Sequence, residues 1–88
     1  MDNHFVYIIY SEKHNVNYKG YSHEPEKRLK QHNAGLSKYT SKKRPWELVF
    51  LKSFETKREA LQYELKLKRQ NHKYIFWLIN SGQNEINH

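Results

Sequence analysis

No cysteine occurs anywhere in the 88 residues of this chain. Disulfides and thiolate metal sites are therefore excluded, a composition that suits a reducing cytoplasm. No apolar run extends beyond a few residues, far short of the ~20 needed to cross a bilayer, so no membrane span is expected. The opening Met1-Asp2-Asn3-His4 lacks the basic stretch and apolar core of a signal peptide. Six histidines are present but scattered, without zinc spacing. No glycine-rich phosphate loop follows a strand-like segment, and no serine sits in a nucleophile-elbow context, so acyl transfer has little support. Acidic side chains are also scarce. Nine Asp+Glu face sixteen Lys+Arg, leaving +7 with the histidines neutral. A field of that sign draws polyanions, and nucleic acid is the usual partner of a small basic domain.

What the chain does hold is aromatic surface, 15% of its residues, with seven tyrosines among them. Such side chains bury a large area while keeping a polar tip available. The length suits one small domain with a thin core. FVYIIY, Phe5 to Tyr10, is β-branched and aromatic throughout and too short for a helix, which predicts a strand buried on both faces. Polar turn residues follow, and Val16 to Tyr21 alternates as a second strand pairing back as a hairpin. Gly20 within it signals close backbone approach or a bulge. Pro25 suits the first position of a helix, and Asn33-Ala34-Gly35 ends it with Gly35 as the cap. Leu36 to Arg44 reads as a basic loop and Trp46 to Phe54 as a third strand. Thr56 and Glu59 form a capping box for a helix reaching about Gln70. A short amphipathic piece covers Lys73 to Asn80, with Tyr74, Ile75, Trp77 and Leu78 apolar. The order is β-β-α-β-α-α, an α+β fold with a three-stranded antiparallel sheet flanked by helices. Residues 1–80 make the single domain expected, and 81–88 a polar, frayed tail.

Several side chains stand out chemically. On a helix turning ~100° per residue, Tyr63, Leu67, Ala60, Leu61 and Leu65 define an apolar arc, and Glu64 projects near its middle. A carboxylate there needs a partner, and a cation or a neighbouring donor would serve. Arg28 and His32 are four apart and share a helix face. A guanidinium holds two phosphate oxygens, and an imidazole beside it can donate a bond or shuttle a proton; the plainer alternative is a solvated pair. Tyr7 and Tyr18 lie on the two strands expected to pair. Either hydroxyl can order or activate water if a cation lowers its pKa, and otherwise each is a core tyrosine. Lys38, Tyr39, Lys42, Lys43 and Arg44 mix cations and a ring in one loop, suited to gripping a phosphate backbone without reading bases.

These residues, in this order, resemble the GIY-YIG nuclease superfamily, in particular its small stand-alone members, which are similar to the nuclease domain of the nucleotide-excision-repair incision subunit. Phe5-Val6-Tyr7 stands where the family has Gly-Ile-Tyr, and Tyr18-Lys19-Gly20 where it has Tyr-Ile-Gly. Arg28 and His32 fall at the family spacing in RLKQHN, and Glu64 where it keeps its metal-binding glutamate. Phe5 and Lys19 depart from the motif, and Asn80 is the candidate for the family's late asparagine. The resemblance implies a metal-dependent endonuclease hydrolysing DNA phosphodiesters in one step, structure-selective in repair or recombination. One divalent ion, Mg²⁺ or Mn²⁺, would sit on Glu64, with Arg28 stabilising the phosphate and Tyr7 or Tyr18 helping to activate water. Specificity would come from a protein partner or from DNA shape. The alternative is a non-catalytic nucleic-acid-binding module on the same scaffold.

Overall fold

A computed structural model describes residues 4–87. The Met1–Asn3 start, read above as lacking a leader, and the terminal His88 of the polar tail lie outside the described residues. FVYIIY forms the middle of β1 (His4–Ser11), which pairs antiparallel with β2 (Val16–Ser22) on one side and β3 (Glu47–Phe54) on the other. The sheet order is therefore β2-β1-β3. A central strand has both faces covered, which is why Val6, Tyr7, Ile8 and Ile9 are all buried. Each aliphatic side chain among them contributes roughly 1.5–3 kcal/mol. The β1–β3 register slips between Ile8 and Ile9, leaving Val49 as the extra residue of a bulge.

Helices cover the two faces unequally. Tyr7, Ile9 and Trp46 form one core with Tyr18 and Leu29, beneath α1 (Pro25–Asn33). Val6, Ile8 and Phe50 form the other, against Ala60 and Leu67 of α2 (Lys57–Lys68) and Ile75 and Leu78 of α3 (His72–Ile79). The ends of the helices follow local chemistry. Pro25 opens α1. Gly35, at φ +81°, closes it, with its N–H bonded to His32 O at 3.2 Å and that of Leu36 to Gln31 O at 3.1 Å. Thr56 Oγ1 accepts from the Glu59 N–H at 3.1 Å and donates to the Glu59 carboxylate at 3.0 Å. The basic loop holds a 3-10 turn, Thr40–Lys43.

Three expectations change. The buried stripe of α2 is narrower than the arc read from sequence: Leu61 and Leu65 are exposed, and only Ala60, Tyr63 and Leu67 pack inward. Trp77 of α3 is likewise exposed beside Phe76, since the helix buries only Ile75 and Leu78 fully. The polar tail folds back instead of fraying. Asn84 is buried, its amide donating to Val49 O at 2.7 Å and Ile79 O at 2.9 Å, while its Oδ1 accepts from the Leu51 N–H at 3.2 Å. Glu85 Oε2 accepts from the Ser53 N–H at 2.8 Å, at the start of a 3-10 turn, Glu85–Asn87. Both side chains serve β3, an edge strand whose outward amides otherwise lack partners.

Candidate active site

Tyr7 sits directly opposite Gly20 in the hairpin register. A methyl group built on Gly20 would overlap the Tyr7 hydroxyl and ring. The missing side chain is what lets the ring lie across the backbone of β2, an edge strand. Gly20→Ala should therefore displace the Tyr7 hydroxyl and cost about 1–3 kcal/mol, the scale of overpacking a filled site. Thermal unfolding reads this directly, at about 4–8 °C per kcal/mol for a domain of this size. An unchanged melting temperature would show that the ring does not depend on that gap.

The hydroxyl of Tyr7 lies 3.0 Å from His32 Nε2. His32 Nδ1 lies 2.7 Å from Thr40 Oγ1, whose hydroxyl reaches Ser37 O at 3.5 Å. Burial first, and the charge of Arg28 second, push the His32 imidazole below its ordinary pKa, so the neutral ring is favoured. A neutral ring has one N–H. With that N–H on Nδ1, donating to Thr40, Nε2 accepts from Tyr7. His32 has no exposed surface, and both its nitrogens are taken. A direct bond from it to phosphate, one of the roles its sequence position suggested, has no free atom in this arrangement.

Three other candidate residues act electrostatically on Tyr7. Its hydroxyl is raised above the usual tyrosine value, chiefly by burial. Arg28 pulls it down, while Tyr18 and Glu64 push it up. Residues of β2, α1 and α2 thus influence one hydroxyl on β1. Arg28 is half-buried and held by Nη1 donating to Gln31 Oε1 at 2.6 Å. Tyr18 stands edge-on to His32, ring centroids 5.2 Å apart. The Glu64 side chain is only 15% exposed, and Lys68 Nζ approaches its carboxylate at 3.9 Å.

The basic loop divides. Tyr39 stacks on Tyr18 at 6.1 Å, and Lys38, Lys42 and Lys43 line a cleft with it. Arg44 turns back instead, its Nε donating to Ser41 O at 2.8 Å and Nη1 to Asn33 O at 3.4 Å, so it braces the loop. Asn80 donates to Phe76 O at 2.9 Å as it closes α3. Among the described residues, no three His, Cys, Asp or Glu side chains cluster to form a metal cage.

One participant escaped sequence reading. Thr40 is buried and fixes His32, yet its hydroxyl looked like loop chemistry, and nothing local marked it. Lys19, apart from this group, has its pKa lowered by burial first and by the charge of Lys68 second. Strand alternation puts it on the face opposite Tyr18 and Gly20.

The model of the GIY-YIG catalytic domain matches residues 3–80. The chain belongs to the GIY-YIG family. Among its relatives is the UPF0213 protein YazA of Bacillus subtilis, 47% identical over 73 residues, which are 82% of this chain and 73% of that protein. A UPF0213 protein of Staphylococcus saprophyticus is 39% identical over 83 residues, covering 93% of this chain and all of that one. The solution structure of the UPF0213 protein BH0048 from Bacillus halodurans superposes with a TM-score of 0.58 at 28% identity, covering 94% of this chain and 88% of that one. The chain is thus a small member of a nuclease superfamily. No helix among the described residues is long and apolar enough to cross a membrane.

Proposed function

We propose that this GIY-YIG domain is a metal-dependent endonuclease that hydrolyses DNA phosphodiesters. The observation that carries this reading is the buried Tyr7–His32 hydrogen bond at 3.0 Å, with the Tyr18 ring edge-on to His32 at 5.2 Å and Arg28, Tyr18 and Glu64 acting electrostatically on the Tyr7 hydroxyl. A guanidinium, an oriented phenol and one largely buried carboxylate are parts that suit in-line attack of water on a phosphodiester.

Arg28 grips two phosphate oxygens and opposes the charge that grows on them in the transition state. Tyr7 stays protonated at neutral pH, because burial keeps its pKa high. It therefore orients the attacking water as an acceptor, and its own O–H faces His32 Nε2. The Tyr7 hydroxyl is in turn held by His32, whose ring Thr40 fixes in place. His32 is then a positioning residue that does not touch phosphate. Tyr18 shields this pair from one side.

Glu64 fits one divalent ion of the Mg²⁺ or Mn²⁺ class. Such ions take one or two carboxylates and complete their shell with water and substrate phosphate, so a lone carboxylate without a cage suits them. Bound there, the ion would neutralise charge on the phosphate and the leaving oxygen.

Supercoiled plasmid and a panel of branched DNAs, incubated with Mg²⁺ or Mn²⁺ against chelator, test this. Nicked product should appear only with metal. Salt-sensitive retention of DNA with no product under any metal would establish the non-catalytic binding module instead.

A further inference from the structure

Tyr39 is 58% exposed and belongs to neither hydrophobic core. Its ring nevertheless has a fixed place. It stacks on Tyr18 with centroids 6.1 Å apart and planes 30° from parallel. Tyr18 in turn meets the His32 ring at 5.2 Å, and His32 bonds Tyr7. A line of rings therefore leads from the hydroxyl at the centre of the site out to solvent.

Lys38, Lys42 and Lys43 share with Tyr39 a cleft of about 440 Å³. The backbone carrying them is braced at several points. Ser41 N–H donates to Ser37 O at 2.9 Å, and Ser41 Oγ to Lys38 O at 3.0 Å. Trp46 Nε1 donates to Thr40 O at 2.9 Å. Ordering this loop on binding therefore costs little, and ring and cations are presented together.

Gripping a phosphate backbone needs only the lysines. An exposed ring among them adds a surface on which a base can stack, worth most to a base whose own face is free. In a duplex the base faces are covered by their neighbours, and only edges and phosphates are offered. We propose that Tyr39, backed by Tyr18, is a stacking platform for an unpaired nucleobase beside the scissile phosphate, so that the preferred substrate is single-stranded DNA or DNA with an unpaired nucleotide at the cleavage point. The position relative to the scissile bond rests on the nuclease reading; the preference for unpaired bases does not.

The test is binding, in chelator so that nothing is cut, of one labelled oligonucleotide as a single strand and as a duplex. The wild-type protein should favour the single strand. Tyr39→Ala should weaken single-strand binding about 10-fold, within the range for losing one base stack, and change duplex binding less than about 2-fold. Tyr39→Trp should restore it, and a fluorescent base analogue in the strand should be quenched by wild type and Tyr39→Trp but not by Tyr39→Ala. Equal losses on both DNAs, no loss on either, or failure of tryptophan to restore binding would overturn the platform. A strand preference that persists in chelator while Mg²⁺ yields no product on any DNA would leave the platform standing and remove cleavage alone.

Discussion

Glu64→Gln is expected to abolish metal-dependent cleavage while leaving the fold in place. The substitution keeps the shape of the side chain and removes only its charge, so it isolates what the carboxylate does. A neutral amide is a poor ligand for a hard divalent cation, and no cluster of three acidic or imidazole groups stands by to replace it among the described residues. The cost to folding should be small. The one ion pair lost is with Lys68 at 3.9 Å, whose side chain is half exposed, and such pairs contribute about 0–1 kcal/mol. Calorimetric titration with Mn²⁺ and a plasmid-nicking assay, run beside thermal melting, separate the two effects. Full turnover in a folded Glu64→Gln protein would remove Glu64 from the metal site.

Arg28→Ala should lower turnover about 10²–10³-fold, the loss seen when one preorganised donor to a developing anion is removed. The arginine is half-buried and braced by Gln31 at 2.6 Å, so its fork is set before substrate arrives and little ordering is left for the reaction step. It also opposes the rise in the Tyr7 pKa, so its removal makes Tyr7 a still more firmly protonated phenol. Arg28→Lys keeps the charge and loses the two-pronged geometry, and it should recover only part of the activity. Single-turnover kinetics on a short DNA, with binding measured separately, distinguish a rate effect from lost affinity. Near-normal rates in Arg28→Ala would sink its assigned role.

Much of the fold was legible because its signals were local. FVYIIY is apolar at every position, and only a central strand uses both faces that way. Pro25, Gly35 and the Thr56–Glu59 pair mark helix ends within a turn of where they act. Glu64 stood out because a carboxylate shared a helix face with Ala60 and Leu67, both of which are buried. What escaped was long-range. His32 looked like one half of a solvated pair with Arg28, because its true partners lie 25 residues earlier and eight later. Leu61 and Leu65 looked buried because helical periodicity cannot say how wide a stripe the neighbouring sheet will cover. The tail looked frayed because asparagine and glutamate are polar, yet Asn84 and Glu85 are there to satisfy backbone amides 33 and 32 residues away.

Those two side chains have a consequence for how the domain behaves in a crowd. Leu51 and Ser53 present alternate amides from the rim of the sheet, the spacing at which another copy's strand would dock. Asn84 and Glu85 occupy both positions with oxygen acceptors of their own. A net charge of +7 favours polyanions, and copies drawn to one would meet at high local density. With the rim already stoppered, that crowding brings charge repulsion between neighbours and no growing ribbon of shared strands.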